Sequence, residues 1–333
     1  MRTVRAVTFD DGRVEVVERP TPEPGVGEVL VRVHGAGLNR ADLLQRAGRY
    51  PAPPGSPAEI PGLEHAGTVE GTGPGVAHPA VGDAVFGICG GGAQATHVVV
   101  RAEVVTPVPS GLDLVEMGGV PEAFVTAHDA MCTQAGVRAG EWVLVHAVGS
   151  GVGTATLQLA ASLGARVVGT ARTPEKLARC AELGLDAAIV APRADDGALD
   201  PDALAFAVLE ATDGGAHVVI DLVGGPYVEA DVGAAAPRGR IVIVGALAGS
   251  TARLPILAVM GKRLTISGTV LRARSLDEKA AAIDAFARDV VPGLADATLR
   301  PVVDAVVPLE RAFDAYELLA SDATFGKVIL DCR

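Results

Sequence analysis

The apolar positions change their spacing once along the chain. Up to about residue 120 they come in short valine-rich runs, each closed by Gly, Pro or Asp. In EVLVRVHGAGL, Val29, Val31 and Val33 alternate with Leu30, Arg32 and His34, the period-two pattern of a strand with one buried face. Similar runs at 66–69, 84–86 and 96–100 predict further short strands. The stretch PAPPGSPAEIPG (51–62) has no period and reads as a surface loop bordering a site.

From about residue 123, helical patterns at 123–134, 151–163, 174–183, 201–212 and 227–236 alternate with continuously apolar strands. The strands fall at 142–146, 166–170, 187–190, 217–221, 240–244 and 264–268. Such strands, joined by helices, predict a parallel sheet covered on both faces, wound by right-handed crossovers. The expected fold class is therefore α/β, a β-rich domain plus a doubly wound parallel-sheet domain. Beyond 269 the texture is mixed again, with helices at 276–291 and 309–321 and a last strand at 326–330.

Composition narrows the partners. Of 333 residues, 49% are hydrophobic and 20% charged, which fits a globular chain with ample core. A net charge of -12 argues against nucleic acid or an anionic membrane as partner. The apolar runs are strand-sized, too short to span a bilayer, and MRTVRAVTFDDG lacks the apolar centre of a signal peptide. Cys89, Cys132, Cys180 and Cys332 lie far apart without a CxxC, so neither a disulfide framework nor a zinc knuckle is indicated. A cytoplasmic location is expected.

The strongest local signal is WVLVHAVGSGVG, an apolar run that breaks into glycines just before a helical pattern. The dinucleotide fingerprint G-x-G-x-x-G, aligned on Gly153, puts Val148 and Ser150 where its first two glycines belong. The physical requirements survive. Gly149 and Gly151 can supply the turn and let backbone amides approach a pyrophosphate, and Gly153 can pack the helix on the strand. The bland alternative is a structural turn that merely needs glycines. The second strand ends in Thr170-Ala171-Arg172 with no acid for a ribose 2′-hydroxyl, so Arg172, Thr173 and Lys176 are expected to surround a 2′-phosphate, which favours NADPH. Helix capping by Thr173 and Pro174 is compatible with that.

Six segments then carry a resemblance: GLNRADLLQRAGRYP (37–51), PGLEHAGTV (61–69), PEAFVTA (121–127), VHAVGSGVG (145–153), DLVGG (221–225) and FGKVIL (325–330). Over its whole length the chain resembles the medium-chain dehydrogenase/reductases, in the zinc-free quinone oxidoreductase branch related to zeta-crystallin. The first segment is most similar to the p53-inducible type. The resemblance implies a GroES-like catalytic domain split in sequence (1–122 and 269–333) around a Rossmann nucleotide-binding domain (123–268), with an active cleft where they meet. It implies an NADPH:quinone oxidoreductase. An enone or enal double-bond reductase and a non-catalytic NADPH-binding protein stand as alternatives.

The same resemblance assigns residues. Zinc relatives have Cys where this chain has Asn39, and His where it has Leu63, so no zinc is expected. Gly149, Ser150, Gly151, Val152 and Gly153 correspond to the pyrophosphate turn, and Lys176 to a 2′-phosphate lysine. Gly245 and Leu247 match the edge of the nicotinamide pocket, Thr126 the nicotinamide ribose region, and Leu271 and Lys327 weaker cofactor positions. Asn39 is expected at the nicotinamide ribose or the substrate, its alternative being a local turn or cap. Tyr50 is the candidate proton donor to a substrate carbonyl, its alternative being a loop anchor. After the third strand, many relatives carry Asn-Tyr where this chain reads Ile189-Val190-Ala191-Pro192. A homodimer paired at the sixth strand is expected.

Overall fold

A computed structural model describes residues 3–333. The chain forms two compact units, one made of the residues up to Val125 with Leu271–Arg333, the other of Thr126–Val270. In the first, β1 (Thr3–Asp10) and β2 (Arg13–Pro20) form an antiparallel hairpin that turns at Asp11 and Gly12, both with positive φ. An Asp-Gly pair is the residue choice such a tight turn demands. There follow β3 (Glu28–Gly37), α1 (Arg40–Arg46), β4 (Glu64–Thr72), β5 (Ala84–Ile88), β6 (His97–Arg101), β7 (Val105–Pro107), α2 (Leu114–Met117) and α3 (Pro121–His128). Val29, Val31 and Val33 of β3 are buried, while Leu30 and His34 are half-buried and Arg32 exposed, as their alternation predicts.

The second unit carries a π-helical turn (Asp129–Gln134), β8 (Trp142–Val145), α4 (Gly151–Ser162), β9 (Arg166–Ala171), α5 (Pro174–Ala181), β10 (Ala187–Val190), α6 (Pro201–Thr212), β11 (Ala216–Asp221), α7 (Tyr227–Ala234), β12 (Ala235–Ile243), α8 (Ile256–Lys262) and β13 (Thr265–Gly268). Its six strands are all parallel, in the order β10-β9-β8-β11-β12-β13. The chain starts mid-sheet, builds to one edge, then returns and builds to the other. That is the doubly wound Rossmann order, and its switch point lies between β8 and β11. Leu144, Val168, Val219 and Ile241 of the sheet pack with Leu204 and Val208 of α6 in the core.

The chain then re-enters the first unit with α9 (Leu276–Asp289), α10 (Val291–Ala295), β14 (Val303–Pro308), α11 (Ala312–Ala320) and β15 (Lys327–Asp331). A seven-stranded sheet results, ordered β14-β15-β3-β4-β5-β7, with β6 also paired to β3. Strand β15 runs antiparallel to β3, so it completes a sheet begun far earlier in the chain by β3. Phe286 of α9 meets Phe86 of β5 edge to face at 5.3 Å, fixing the helix to the sheet.

The structure departs from the sequence reading in identifiable places. The helix expected over 123–134 is α-helical only to His128. It then widens into the π turn, where the Ala135 amide bonds the Ala130 carbonyl. Gln134 and Thr269 both donate to the Asp129 carboxylate there. Helices α1 and α8 and strand β14 were not anticipated. No residue of helix α8 is fully buried: Ala258 and Val259 are half-buried against the core, while Ile256, Leu257 and Met260 are exposed, so its apolar positions form no wide core-facing stripe. The proline-rich 51–62 segment is laid against Gly90–Gly92, where a Cβ on Gly90 would collide with Ser56 and Pro53 and one on Gly91 with the Pro57 carbonyl. Among the described residues, no helix is long and apolar enough to cross a membrane.

Candidate active site

In the nucleotide unit, β8 ends at Val145 and the backbone turns at Ala147, whose φ is +49°. Ser150 caps α4, its hydroxyl accepting from the Gly153 amide at 3.1 Å. The amides of Gly151 and Val152 open the helix and so have no acceptor within it. They point their donors and the positive end of the helix dipole outward. Val148 is fully buried. Its side chain fits because the facing residue on β9 is glycine: a Cβ on Gly169 would lie 2.7 Å from Val148 Cγ1. The fingerprint's missing glycine is thus replaced by one on the neighbouring strand.

A buried polar cluster ties the strand ends together. His146, just past β8, lies 2.8 Å from Thr170 Oγ1 of β9 and 2.7 Å from Asp231 Oδ1 of α7. Asp221, at the end of β11, accepts from the amides of Val223 and Gly224. Burial favours the neutral forms: it lowers the imidazole pKa to about 4 and holds the Asp231 carboxyl well above its usual range. Asp221 is raised to about 6 by burial and by the charge of Asp231. The 221–225 turn packs backbone to backbone on the loop after β12, where a Cβ on Gly224 would meet the Gly245 carbonyl at 2.6 Å. Leu247, in that loop, is half exposed.

Arg172 and Thr173 are exposed beyond β9, and Thr173 holds the N-cap position of α5 without a side-chain cap bond. Burial raises the pKa of the Tyr227 phenol, while Arg193 and Arg172 lower it. Arg193 therefore brings a second guanidinium toward this end of the sheet, two residues after the Ala191 that breaks the relatives' pattern. The sequence reading stopped one residue short of it. The Thr126 hydroxyl oxygen is buried and unpartnered, so the back-bond that a helical threonine usually makes is absent. Two outward amides, a capping hydroxyl, an orphaned hydroxyl and two guanidiniums form a donor set that fits a phosphorylated dinucleotide.

The first unit has its own polar centre. Lys327 of β15 is buried, and its ammonium donates to Glu64 Oε1 at 2.5 Å and to Leu38 O and Asn39 Oδ1, each at 2.8 Å. All three of its donors are thereby used. Asn39 precedes α1, receives that bond, and returns one from Nδ2 to Glu64 at 2.9 Å. Its backbone amide donates to Asp42 Oδ2, so its capping role and its place in the cluster coexist. Asp42 also accepts from Gln94, which in turn accepts from Tyr316. Burial lifts the Asp42 pKa to about 6.

Tyr50 stands in the loop after α1, half-buried; its carbonyl accepts from Arg272, and its hydroxyl makes no hydrogen bond among the described residues. Burial raises the phenol pKa, and the charge of Glu122 adds to the rise. Glu122, in the first turn of α3, was missed by the sequence reading although it lies in a quoted segment. Its amide donates to Glu64 Oε2, and burial together with the Glu64 charge pushes its carboxyl up to about 8. The Cys89 thiol donates to the Gly62 carbonyl and is pushed up to about 12 by burial, which removes it as a nucleophile at neutral pH. Leu271 is a buried apolar residue at the re-entry point. Among the described residues, no group of three or more His, Cys, Asp or Glu side chains is arranged to hold a metal ion.

His65, beside Glu64 on β4, is fully buried with both ring nitrogens unpartnered, and burial lowers its pKa from 6.5 to about 4. The unfolded chain takes up a proton below pH 6.5 that the folded chain refuses until about pH 4. Its contribution to stability is therefore complete above 6.5 and is lost as pH falls toward 4. Urea unfolding of His65→Leu at about pH 7 and about pH 5 should show roughly 2 kcal/mol less acid-induced loss than the wild type. Equal losses in the two proteins would remove His65 from the acid response.

A doubly wound parallel-sheet unit with a glycine turn ahead of α4, in one chain with a β-rich unit, is the architecture of a class of oxidoreductases. The comparisons make this specific. Residues 151–288 match the family model described as zinc-binding dehydrogenase, and residues 25–110 the alcohol dehydrogenase GroES-like domain. The quinone oxidoreductase of Rattus norvegicus is 30% identical over 336 residues, covering 99% of this chain and 97% of that protein. Among solved structures, an alcohol dehydrogenase superfamily protein from Novosphingobium aromaticivorans superposes with a TM-score of 0.86 at 28% identity, covering both chains fully. A mycobacterial protein complexed with NADPH reaches 0.85 at 28% identity, covering 98% of this chain and 99% of that one. The chain belongs to the medium-chain dehydrogenase/reductase superfamily.

Proposed function

We propose that the chain is an NADPH-dependent quinone reductase of the cytoplasm that works without a metal. The observation that carries this reading is the Lys327–Glu64–Asn39 cluster. Asn39, which the resemblance sets where zinc-dependent relatives carry a cysteine ligand, is bonded to Glu64 and to a buried ammonium. A fixed cation there opposes a second one. Without a Lewis acid, carbonyl reduction loses several kcal/mol of charge stabilisation, and a quinone tolerates that loss because reduction makes its ring aromatic. Relatives that carry the name quinone oxidoreductase support the substrate class.

Gly151, Val152 and Ser150 hold the pyrophosphate, Thr126 the nicotinamide ribose, and Arg172 with Arg193 the 2′-phosphate. Bound there, the dinucleotide supplies the hydride. Tyr50 holds the proton that the reduced acceptor needs, on a hydroxyl free of other bonds. The same free phenol favours a second reading, reduction of an enone or enal, in which the α-carbon must be protonated. Steady-state oxidation of NADPH and NADH with 1,2-naphthoquinone and with a simple enone separates the two. Quinone turnover that prefers NADPH, and loses the preference in Arg172→Ala, supports the first. Enone turnover alone supports the second. NADPH binding with neither turnover refutes both.

We also propose a homodimer. Strand β13 is the last of its sheet, and Leu254, Ile256, Leu257 and Met260 on or beside α8 are exposed, Leu257 by 83%. A cluster of this kind at an open sheet edge marks an association surface. Light scattering should give about twice the mass of one chain. The pair Leu257→Asp and Met260→Asp should return it to that of one chain. An unchanged mass would place the contact elsewhere.

A further inference from the structure

Arg272 plays no part in the sequence reading, yet it is 4% exposed. Its guanidinium donates to Gly90 O at 2.8 Å, to Tyr50 O at 3.1 Å and to Gln45 Oε1 at 2.7 Å. All three acceptors are neutral. A buried cation is ordinarily paired with a carboxylate, and this one has no such bond. The same guanidinium lies over the Tyr50 ring, 4.9 Å from its centroid. One side chain thus grips the end of α1, the loop after it and the loop after β5, and keeps its charge against the phenol.

We propose that Arg272 is the positioning residue of the acceptor site: it fixes Tyr50 by carbonyl and ring, and its unpaired charge holds the phenolate left when Tyr50 protonates the reduced acceptor. The proposal rests on the Tyr50 reading above. In that step the phenol O–H bond breaks and the proton passes to the acceptor that has gained hydride. The electron pair stays on the Tyr50 oxygen, and water later restores the proton. Where a metal dehydrogenase stabilises negative charge on the substrate, this chain stabilises it on its own acid.

Other charges bear on the pair. Glu122 of α3 raises the phenol pKa and Arg272 lowers it, while burial acts with Glu122. The Glu122 carboxyl itself, Asp42 of α1, the Cys89 thiol after β5 and Lys279 of α9 also feel the Arg272 charge, none of them through a hydrogen bond. Of these neighbours, Arg272 is the cation that lies on the Tyr50 ring.

The test compares Arg272→Gln, Arg272→Lys and Tyr50→Phe. It measures NADPH affinity, kcat and KM with 1,2-naphthoquinone, and the titration of Tyr50 by NMR of carbon-13-labelled tyrosine. The chain has only three tyrosines, so Tyr50→Phe assigns the signal. Arg272→Gln should keep NADPH affinity, lower kcat about 10- to 100-fold and move the Tyr50 titration to higher pH. Arg272→Lys, which keeps charge but not the fork, should fall between. A Tyr50 titration unmoved in Arg272→Gln overturns the proposal, as does an unchanged kcat in a background where Tyr50→Phe is slow. Full turnover in Tyr50→Phe sinks the proton-donor reading itself. Should the Gln variant not fold, an unchanged kcat in Arg272→Lys overturns the proposal alone.

Discussion

Replacing Lys327 by methionine should cost about 3–5 kcal/mol of stability, the loss seen when one partner of a buried ion pair is removed. The carboxylate of Glu64 is fully buried, and Lys327 is its ion-pair partner at 2.5 Å. Without the ammonium, Glu64 keeps only the Asn39 amide and the Glu122 backbone amide as donors. Asn39 also loses the bond to its Oδ1. Adding Glu64→Gln removes the stranded charge and should restore about half of the loss. Chemical denaturation of the wild type, the single variant and the double variant gives the comparison. A single variant within about 1 kcal/mol of the wild type would mean that the pair does not organise the catalytic unit.

Gly153→Val should abolish nucleotide binding. A Cβ at this position would lie 2.5 Å from the Ala147 carbonyl oxygen and 2.6 Å from that of Val148. Both atoms belong to the backbone of the turn and cannot swing aside as a side-chain tip does. Helix α4 must lift from β8, and the Gly151 and Val152 amides move with it. The expected result is about 3 kcal/mol of lost stability and at least a hundredfold weaker NADPH binding by fluorescence titration. Gly261→Ala is the control, because nothing lies within 4 Å of a Cβ there. It should be neutral, or stabilising by up to about 1 kcal/mol, as glycine is a poor helix residue. NADPH affinity within twofold of wild type in Gly153→Val would move the pyrophosphate away from this turn.

The parallel sheet was legible because each strand carries its own signal, an apolar run closed by a turn residue. The turn after β8 was legible for the same reason. What escaped depends on residues that meet from far apart. Val148 reads as a defect in the fingerprint until Gly169 is seen opposite it. Nothing in the sequence around Glu64 announces a counter-ion 263 positions away. The path of the 51–62 loop is set by Gly90–Gly92, which supply space and not contacts. Arg193 and Glu122 sat within or beside segments already read, and only their surroundings mark them. Helix α8 failed the test of period because Ile256, Leu257 and Met260 face outward while only Ala258 and Val259 meet the core.

The return of the chain to its first unit constrains how the protein is made. The nucleotide unit is one continuous stretch and can fold as it leaves the ribosome, since every strand of its sheet is by then synthesised. The catalytic unit must wait. Until β15 emerges, β3 has an open edge and Glu64 lacks its lysine. The emergence of β15 therefore closes a sheet and neutralises a buried charge in one step. Truncation ahead of Lys327 should leave the nucleotide unit intact and the first unit a target for proteolysis.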